Sequence, residues 1–162
     1  QRQMCIRDSS KGIYSIGKKK IDERKILSDY TSNGKGMVVG YSLFNKIGLT
    51  LYQDERIVIY TNVIMTKQKS IGNLLLKKVD LIFTDEIIDL VSLLEILDVG
   101  FGIRGGDYLT YRNVVELLAK TYTDDNFKQV IGAIRYKYST IIKLHELLTR
   151  LNIKNACLDF FG

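Results

Sequence analysis

Four glycines crowd the stretch ILDVGFGIRGGD, residues 96–107, and Gly100, Gly102 and Gly105 keep the spacing GxGxxG. Glycines so spaced let a backbone approach a pyrophosphate and turn it onto a helix N-terminus, whose free amides favour anions. That chemistry requires a buried strand before the loop, a helix after it, and an acid about 20 residues on for the ribose hydroxyls. A second kind of chemistry, phosphate contact, is available to Lys11, Lys18, Lys19 and Lys20 near the start of the chain. Little else offers itself. The single histidine, His145, sits among Leu144, Leu147 and Leu148 on a helical pattern and reads as a partly exposed structural residue. Asp85, Glu86 and Asp89 fit the first turn of a helix, where acids meet the positive end of its dipole, better than a metal site. Cys5 and Cys157 lie near opposite ends with no CxxC or Cys/His cluster, so neither a disulfide framework nor zinc is expected. There is no serine elbow and no paired Cys and His. The expectation is a non-catalytic protein with no cofactor and no metal.

The lead-in Ile96-Leu97-Asp98-Val99 does resemble the first motif of Rossmann methyltransferases, which bind S-adenosylmethionine. An enzyme using the Gly100–Gly106 loop is therefore the alternative reading. Three features weigh against it. The apolar run before the loop is long and has a helical period, whereas a strand spans about 4 to 8 residues. Too little chain follows Gly105 for the rest of a doubly wound sheet. The next strand-like stretch, VIGAIRY, ends near Arg135 rather than an acid. With no proline in the chain, the glycines serve equally as a helix-to-helix connection.

Hydrophobic residues make up 46% and charged residues 26% of the 162, ordinary for one globular domain. No apolar run approaches the roughly 18 residues of a spanning helix, and no signal-peptide core opens the chain, so the reading is cytoplasmic with no membrane partner. The net charge of +6 is uneven. Residues 1–25 carry eight basic and three acidic side chains, and residues 26–162 carry sixteen and fifteen, so the basic character belongs to the N-terminal edge.

A set of short elements must position these residues. KGIYSI, residues 11–16, is strand-like. Asp22–Ser32 opens with acids and stops at Asn33-Gly34, as a short helix does. Met37–Ile47 has mostly helical spacing, with Gly48 where a C-terminal cap belongs. Arg56–Asn62 reads as a strand, and Ser70–Thr84 as one or two more, turning near Gly72-Asn73 or Lys77-Lys78. Helices are predicted over Asp85–Val99 with Thr84 as N-cap, Thr110–Tyr122, Asp124–Ala133 and Thr140–Leu151. The fold class is α+β: a small, mainly antiparallel sheet with short helices, followed by a helical C-terminal half. The last residues, 156–162, form an apolar tail with no evident partner.

GMVVGYSLFNKIGLTLYQDERIVIYTN, residues 36–62, resembles the central segment of the abortive-infection type IV antitoxin family (AbiEi-like). Those proteins carry a G-x-x-x-G-x-S-L-x-N-x-L-G-L-T-x-Q stretch followed by a strand ending in T-N. Gly36, Gly40, Ser42, Leu43, Asn45, Gly48, Leu49, Thr50, Thr61 and Asn62 match. Ile47 stands where leucine is usual, Gln53 sits one residue late, and the proline common just after is missing. FTDEIIDLVSLLEILDV is a looser counterpart of the family's next helix, and the likeness covers roughly residues 11–150. It implies an antitoxin and autoregulatory transcriptional repressor of a phage-defence toxin–antitoxin system. It also implies operator DNA as partner, and a nucleotidyltransferase-like toxin opposed without a stable complex. In that family an N-terminal winged helix-turn-helix reads DNA, and its wing closes with a strand like KGIYS. Residues 10–20 thus resemble a wing remnant and basic connector, with Lys11, Lys18, Lys19 and Lys20 as phosphate contacts. Residues 21–155 form the antitoxin-like domain. The reading helices would lie upstream. Residues 1–9 resemble translated sequencing-adapter read-through. The matched motif itself, Gly40 to Thr50 with Thr61 and Asn62, fits a structural helix-to-strand corner better than a reactive site.

Overall fold

A computed structural model describes residues 23–160; expectations on residues 1–22, Lys11 and Lys18–Lys20 among them, lie outside the described residues. The first helix, α1, covers 23–31. It ends in a 3₁₀ turn, Ser32–Gly34, where Asn33 and Gly34 adopt φ of 55° and 77°. Left-handed backbone suits Gly and Asn and stops the helix there. Strand β1, Gly36–Val39, leads directly into α2, Gly40–Ile47. Next come β2, Ile57–Thr61, β3, Gln68–Ile71, and β4, Leu74–Lys78. The C-terminal half holds α3, Asp85–Val99, α4, Tyr108–Ala119, α5, Asp124–Ala133, and α6, Tyr138–Arg150. A last turn, Cys157–Phe160, closes the described chain.

The sheet runs β1-β2-β4-β3. Its outer pairs, β1 with β2 and β3 with β4, are antiparallel, and the central pair β2 with β4 is parallel. This is the α+β class expected. One element differs. Met37–Val39 belong to a strand, not to the start of a helix, and the helix begins at Gly40. Gly40 makes the break, with φ of 67°, a value a helix interior does not contain. Between β3 and β4 the reversal falls at Gly72-Asn73, with Gly72 at φ 58°. A two-residue hairpin loop needs that positive φ.

Strand alternation gives the sheet two apolar faces. One carries Ile59, Leu74 and Leu76, covered by Ile26, Leu27 and Tyr30 of α1. The other carries Met37 and Val39 and packs with α2 and α3 into the main core. The result is three layers: α1, the sheet, and the helical half. Helix α3 is the centre of the last. Ile87, Leu90, Val91, Leu93, Leu94, Ile96 and Leu97 are all buried, so it meets neighbours on most of its circumference. Thr84 caps it, accepting a hydrogen bond from the Ile87 amide at 3.2 Å, with Asp85 and Glu86 in the first turn as expected. Helices α4, α5 and α6 pack against it. The apolar tail finds its partner here as well: Cys157 is fully buried in the core, and the Phe160 ring lies 6.0 Å from that of Phe127 on α5. Burial pushes the Cys157 thiol up to about 11, which makes it an unreactive apolar side chain. His145 holds the same tail in place, its Nδ1 lying 2.9 Å from Asn155 Oδ1.

A single carboxylate joins the helical half to the sheet. Glu95 of α3 accepts hydrogen bonds from the hydroxyls of Tyr60 on β2, at 3.2 Å, and of Tyr136, at 2.6 Å. Burial raises the Glu95 carboxyl above its ordinary range, and Asp98 adds to the rise. The two tyrosine hydroxyls and Lys77 offset this only in part.

Two outcomes are expected. A Cβ at Gly36 would stand 2.3 Å from the Tyr60 carbonyl oxygen and 2.4 Å from that of Tyr30, both backbone atoms. Gly36→Ala must therefore force β1 away from β2 and α1, lowering unfolding free energy by about 3 kcal/mol, read as a lower urea midpoint at unchanged m. For Glu95, the folded state binds the proton more tightly than the unfolded state. Its contribution is full below the ordinary glutamate value of about 4.3 and is lost as pH rises through the raised folded value. Glu95→Gln cannot ionise, so its Tm should fall less than the wild-type Tm between about pH 4 and about pH 8. Parallel profiles would show that the folded carboxyl titrates normally.

Candidate functional site

The segment that resembles the antitoxin family forms one continuous corner. Gly40 has open space around its missing side chain, so its positive φ is what it contributes. At the other end of α2, Gly48 adopts φ 90°. Its amide donates to Asn45 O at 3.1 Å, and the Leu49 amide donates to Phe44 O at 2.9 Å. This pair of bonds is a Schellman cap, sealed by Leu49 and Phe44 in the same core. Asn45 then reaches past the cap. Its side-chain amide donates to Thr50 O at 2.9 Å and Tyr52 O at 2.8 Å, fixing the path of the loop leaving the helix.

Thr61 and Asn62, at the end of β2, do a similar task for the preceding turn. The Thr61 hydroxyl donates to Lys35 O at 3.0 Å. The Asn62 side-chain amide donates to Gly34 O at 3.1 Å and to Leu81 O at 2.6 Å. The side-chain donors of Asn45, Thr50, Thr61 and Asn62 are thus all spent on backbone carbonyls. Ser42 alone stands apart, on the wall of a groove of about 410 Å³ with Met37, Leu43 and Lys46.

The glycine-rich loop is the other candidate, and the structure brings it onto this corner. Thr50, 5% exposed, donates its hydroxyl to Arg104 O and accepts from the Tyr52 amide at 3.0 Å. The Arg104 amide donates to the Tyr41 hydroxyl at 3.0 Å. The Arg104 guanidinium donates to the Tyr52 hydroxyl at 2.9 Å and lies 5.1 Å from that ring's centre. Gly105, with φ 70°, is required by this contact, since a Cβ there would stand 2.9 Å from Thr50 Oγ1. Gly100 takes φ 65° at the end of α3, while Gly102 is under no such constraint.

The entry to the loop is helical: α3 runs to Val99, and a short 3₁₀ turn, Gly100–Gly102, succeeds it. The strand that a dinucleotide loop needs is not there, and the glycines join two helices. The loop leads into a capped helix, with Asp107 Oδ2 accepting from the Thr110 amide at 3.0 Å and its hydroxyl at 2.9 Å. These bonds hold the Asp107 carboxyl below its ordinary range. Thr110 is therefore in the first turn of α4 rather than at its start, and Asp107 is the capping signal.

Between the corner and this helix lies a cavity of about 220 Å³, lined by Leu49, Gly100, Phe101, Ile103, Gly106, Asp107, Tyr108 and Tyr111. The Phe101 ring lies 5.4 Å from Tyr108 and 5.1 Å from Tyr111. Phe101 is 75% and Tyr108 61% exposed. The sequence signal for these aromatics is their bracketing of the glycines in FGIRGGDYLTY, which attention to the glycine spacing hides. Among the described residues, no group of three or more His, Cys, Asp or Glu could hold a metal ion. The corner can bind and position; it assembles no nucleophile with a base.

Thr50→Val keeps the shape but takes the hydroxyl from the Arg104 carbonyl and the Tyr52 amide, both on exposed residues that water can reach, so it should cost about 1 kcal/mol in chemical denaturation, whereas Thr50→Ser retains most of the stability. A loss in Thr50→Ser with none in Thr50→Val would mean that the methyl group, not the hydroxyl, holds the two loops together. No protein-family model, no curated protein and no solved structure matches this chain.

Proposed function

We propose that this chain is the C-terminal part of an antitoxin and autoregulatory repressor of a type IV, abortive-infection toxin–antitoxin system, acting by binding rather than by catalysis. The observation that carries the reading is the use made of residues 36–62. Most of the residues that resemble the antitoxin family shape the backbone at two places: Gly40, Gly48, Asn45 and Thr50 around α2 and the loop leaving it, and Thr61 and Asn62 at the turn before β1. A motif spent mainly on architecture, with Ser42 its only polar side chain left on a groove wall, is what a shared fold would retain. In the intact protein an upstream winged helix chooses the operator, because lysines alone hold phosphate without reading sequence. Lys11, Lys18, Lys19 and Lys20 then serve as phosphate contacts. The setting is cytoplasmic, and a nucleotidyltransferase-like toxin encoded alongside is opposed without a stable complex. Among the described residues no helix is long and apolar enough to cross a membrane.

A second reading, a nucleotide-binding enzyme working through Gly100–Gly106, has the neighbouring cavity in its favour and the helical entry of α3 against it. The two are separated by two measurements. Co-expression of this chain with an adjacent nucleotidyltransferase-like gene should restore growth that the toxin alone arrests, and S-adenosylmethionine should leave the Tm unmoved. Growth arrest that persists at normal expression of the folded chain would overturn the antitoxin reading. A ligand-dependent rise in Tm would favour the enzyme.

A further inference from the structure

Between Arg56 and Asp80 the chain contains no acidic residue, and four lysines, Lys67, Lys69, Lys77 and Lys78, fall within it. All four are exposed, and none forms an ion pair with a described residue. The β3–β4 register places Gln68 opposite Lys77 and Lys69 opposite Leu76. One step further, Lys78 donates its amide to Lys67 O at 2.9 Å, so these two lysines lie directly across from each other. Like charges so placed destabilise a sheet. Alternation puts Lys69 and Lys78 on the same face as Leu74 and Leu76, the face that α1 partly covers. Lysines on an edge strand commonly serve to prevent edge-to-edge pairing. That accounts for Lys69 on β3, but not for Lys78 on β4, an inner strand of the sheet.

We propose that Lys67, Lys69 and Lys78 form a contact surface for the phosphodiester backbone of duplex DNA. The repulsion between the lysines is relieved by a polyanion laid along the strand. Residues 65–73 hold no Phe, Tyr or Trp on which unpaired bases would stack, so the surface suits a duplex rather than a single strand. Helix α1, which packs on this same face, begins at residue 23, three positions after Lys20 in sequence. The inference rests on the regulator reading for the identity of its partner, but its geometry stands without the toxin.

The test is fluorescence anisotropy of the full chain on a labelled duplex of arbitrary sequence, through a salt series. Wild type should bind weakly at low salt with a steep dependence. Each phosphate that a lysine neutralises adds about 0.9 to the slope of log K against log salt, so the triple variant Lys67→Gln, Lys69→Gln, Lys78→Gln should flatten it by about 2.7. The corresponding Lys→Arg triple should keep it, and Tm should confirm that both variants are folded. Three outcomes overturn the proposal: no duplex binding by wild type at low salt, an unchanged slope in the Gln triple, or loss of binding to phosphatidylserine vesicles with duplex binding intact. Growth rescue is read separately. A flattened slope without rescue sinks the antitoxin reading and leaves this surface standing; rescue with an unchanged slope does the reverse.

Discussion

Helix α3 sets the terms for everything around it. A helix whose leucines, isoleucines and valines are buried on most sides must be enclosed from several directions at once. The sheet and α2 cover one side, and α4, α5 and α6 cover the rest. The polar groups of its last two turns, Ser92, Glu95 and Asp98, each find a partner within the fold. Glu95 is answered by two tyrosine hydroxyls arriving from the sheet and from the loop before α6. Asp98 accepts the Thr140 hydroxyl at 2.8 Å and lies 3.5 Å from the Lys137 ammonium. The Ser92 hydroxyl returns to the Ile88 carbonyl of its own helix at 2.6 Å. Left unpaired, Ser92 or Glu95 would cost more than the helix gains from its capping, so the surroundings of α3 are specified chemically as well as by shape.

The corner formed by residues 48–52 and 104–105 is where the two halves of the molecule are tied at the surface. Its bonds run mostly from side chains to backbone. Such bonds fix the path of loops whose own amides have no ladder to join. Thr50 is the hinge of this arrangement, since one hydroxyl both gives and receives. Beside it, Phe101 and Tyr108, both more than half exposed, and the less exposed Tyr111 line a small cavity.

Legibility in the sequence depends on the range of the interaction. Thr84, the two acids after it and the stripe from Ile87 to Leu97 are all local, and they mark α3 almost to the residue. Gly72-Asn73 is a local turn signal too, though the sequence left Lys77-Lys78 open as the rival reversal until the β3–β4 register decided between them. Strand β1 escapes because four residues are too few to show alternation, and Val38 and Val39 merge with the helical spacing of Leu43, Phe44 and Ile47. Thr50 and Gly105 each carry a signal, under rival readings. Nothing within a local window could reveal that they meet, because 54 residues separate Thr50 from Arg104. The burial of Cys157 is hidden likewise, as the tail's partners lie on α5 and α6.

Strand β4 carries Leu74, Leu75 and Leu76 in succession, and all three are buried. A run of three identical residues has no period, so leucine packing alone scarcely distinguishes this alignment from one displaced by a single position. The choice falls to the reversal at Gly72-Asn73 and to the need to leave Lys77 and Lys78 in water. A bulky substitution at Gly72 would accordingly show itself less as lost stability than as conformational heterogeneity, with doubled amide signals confined to this end of the sheet.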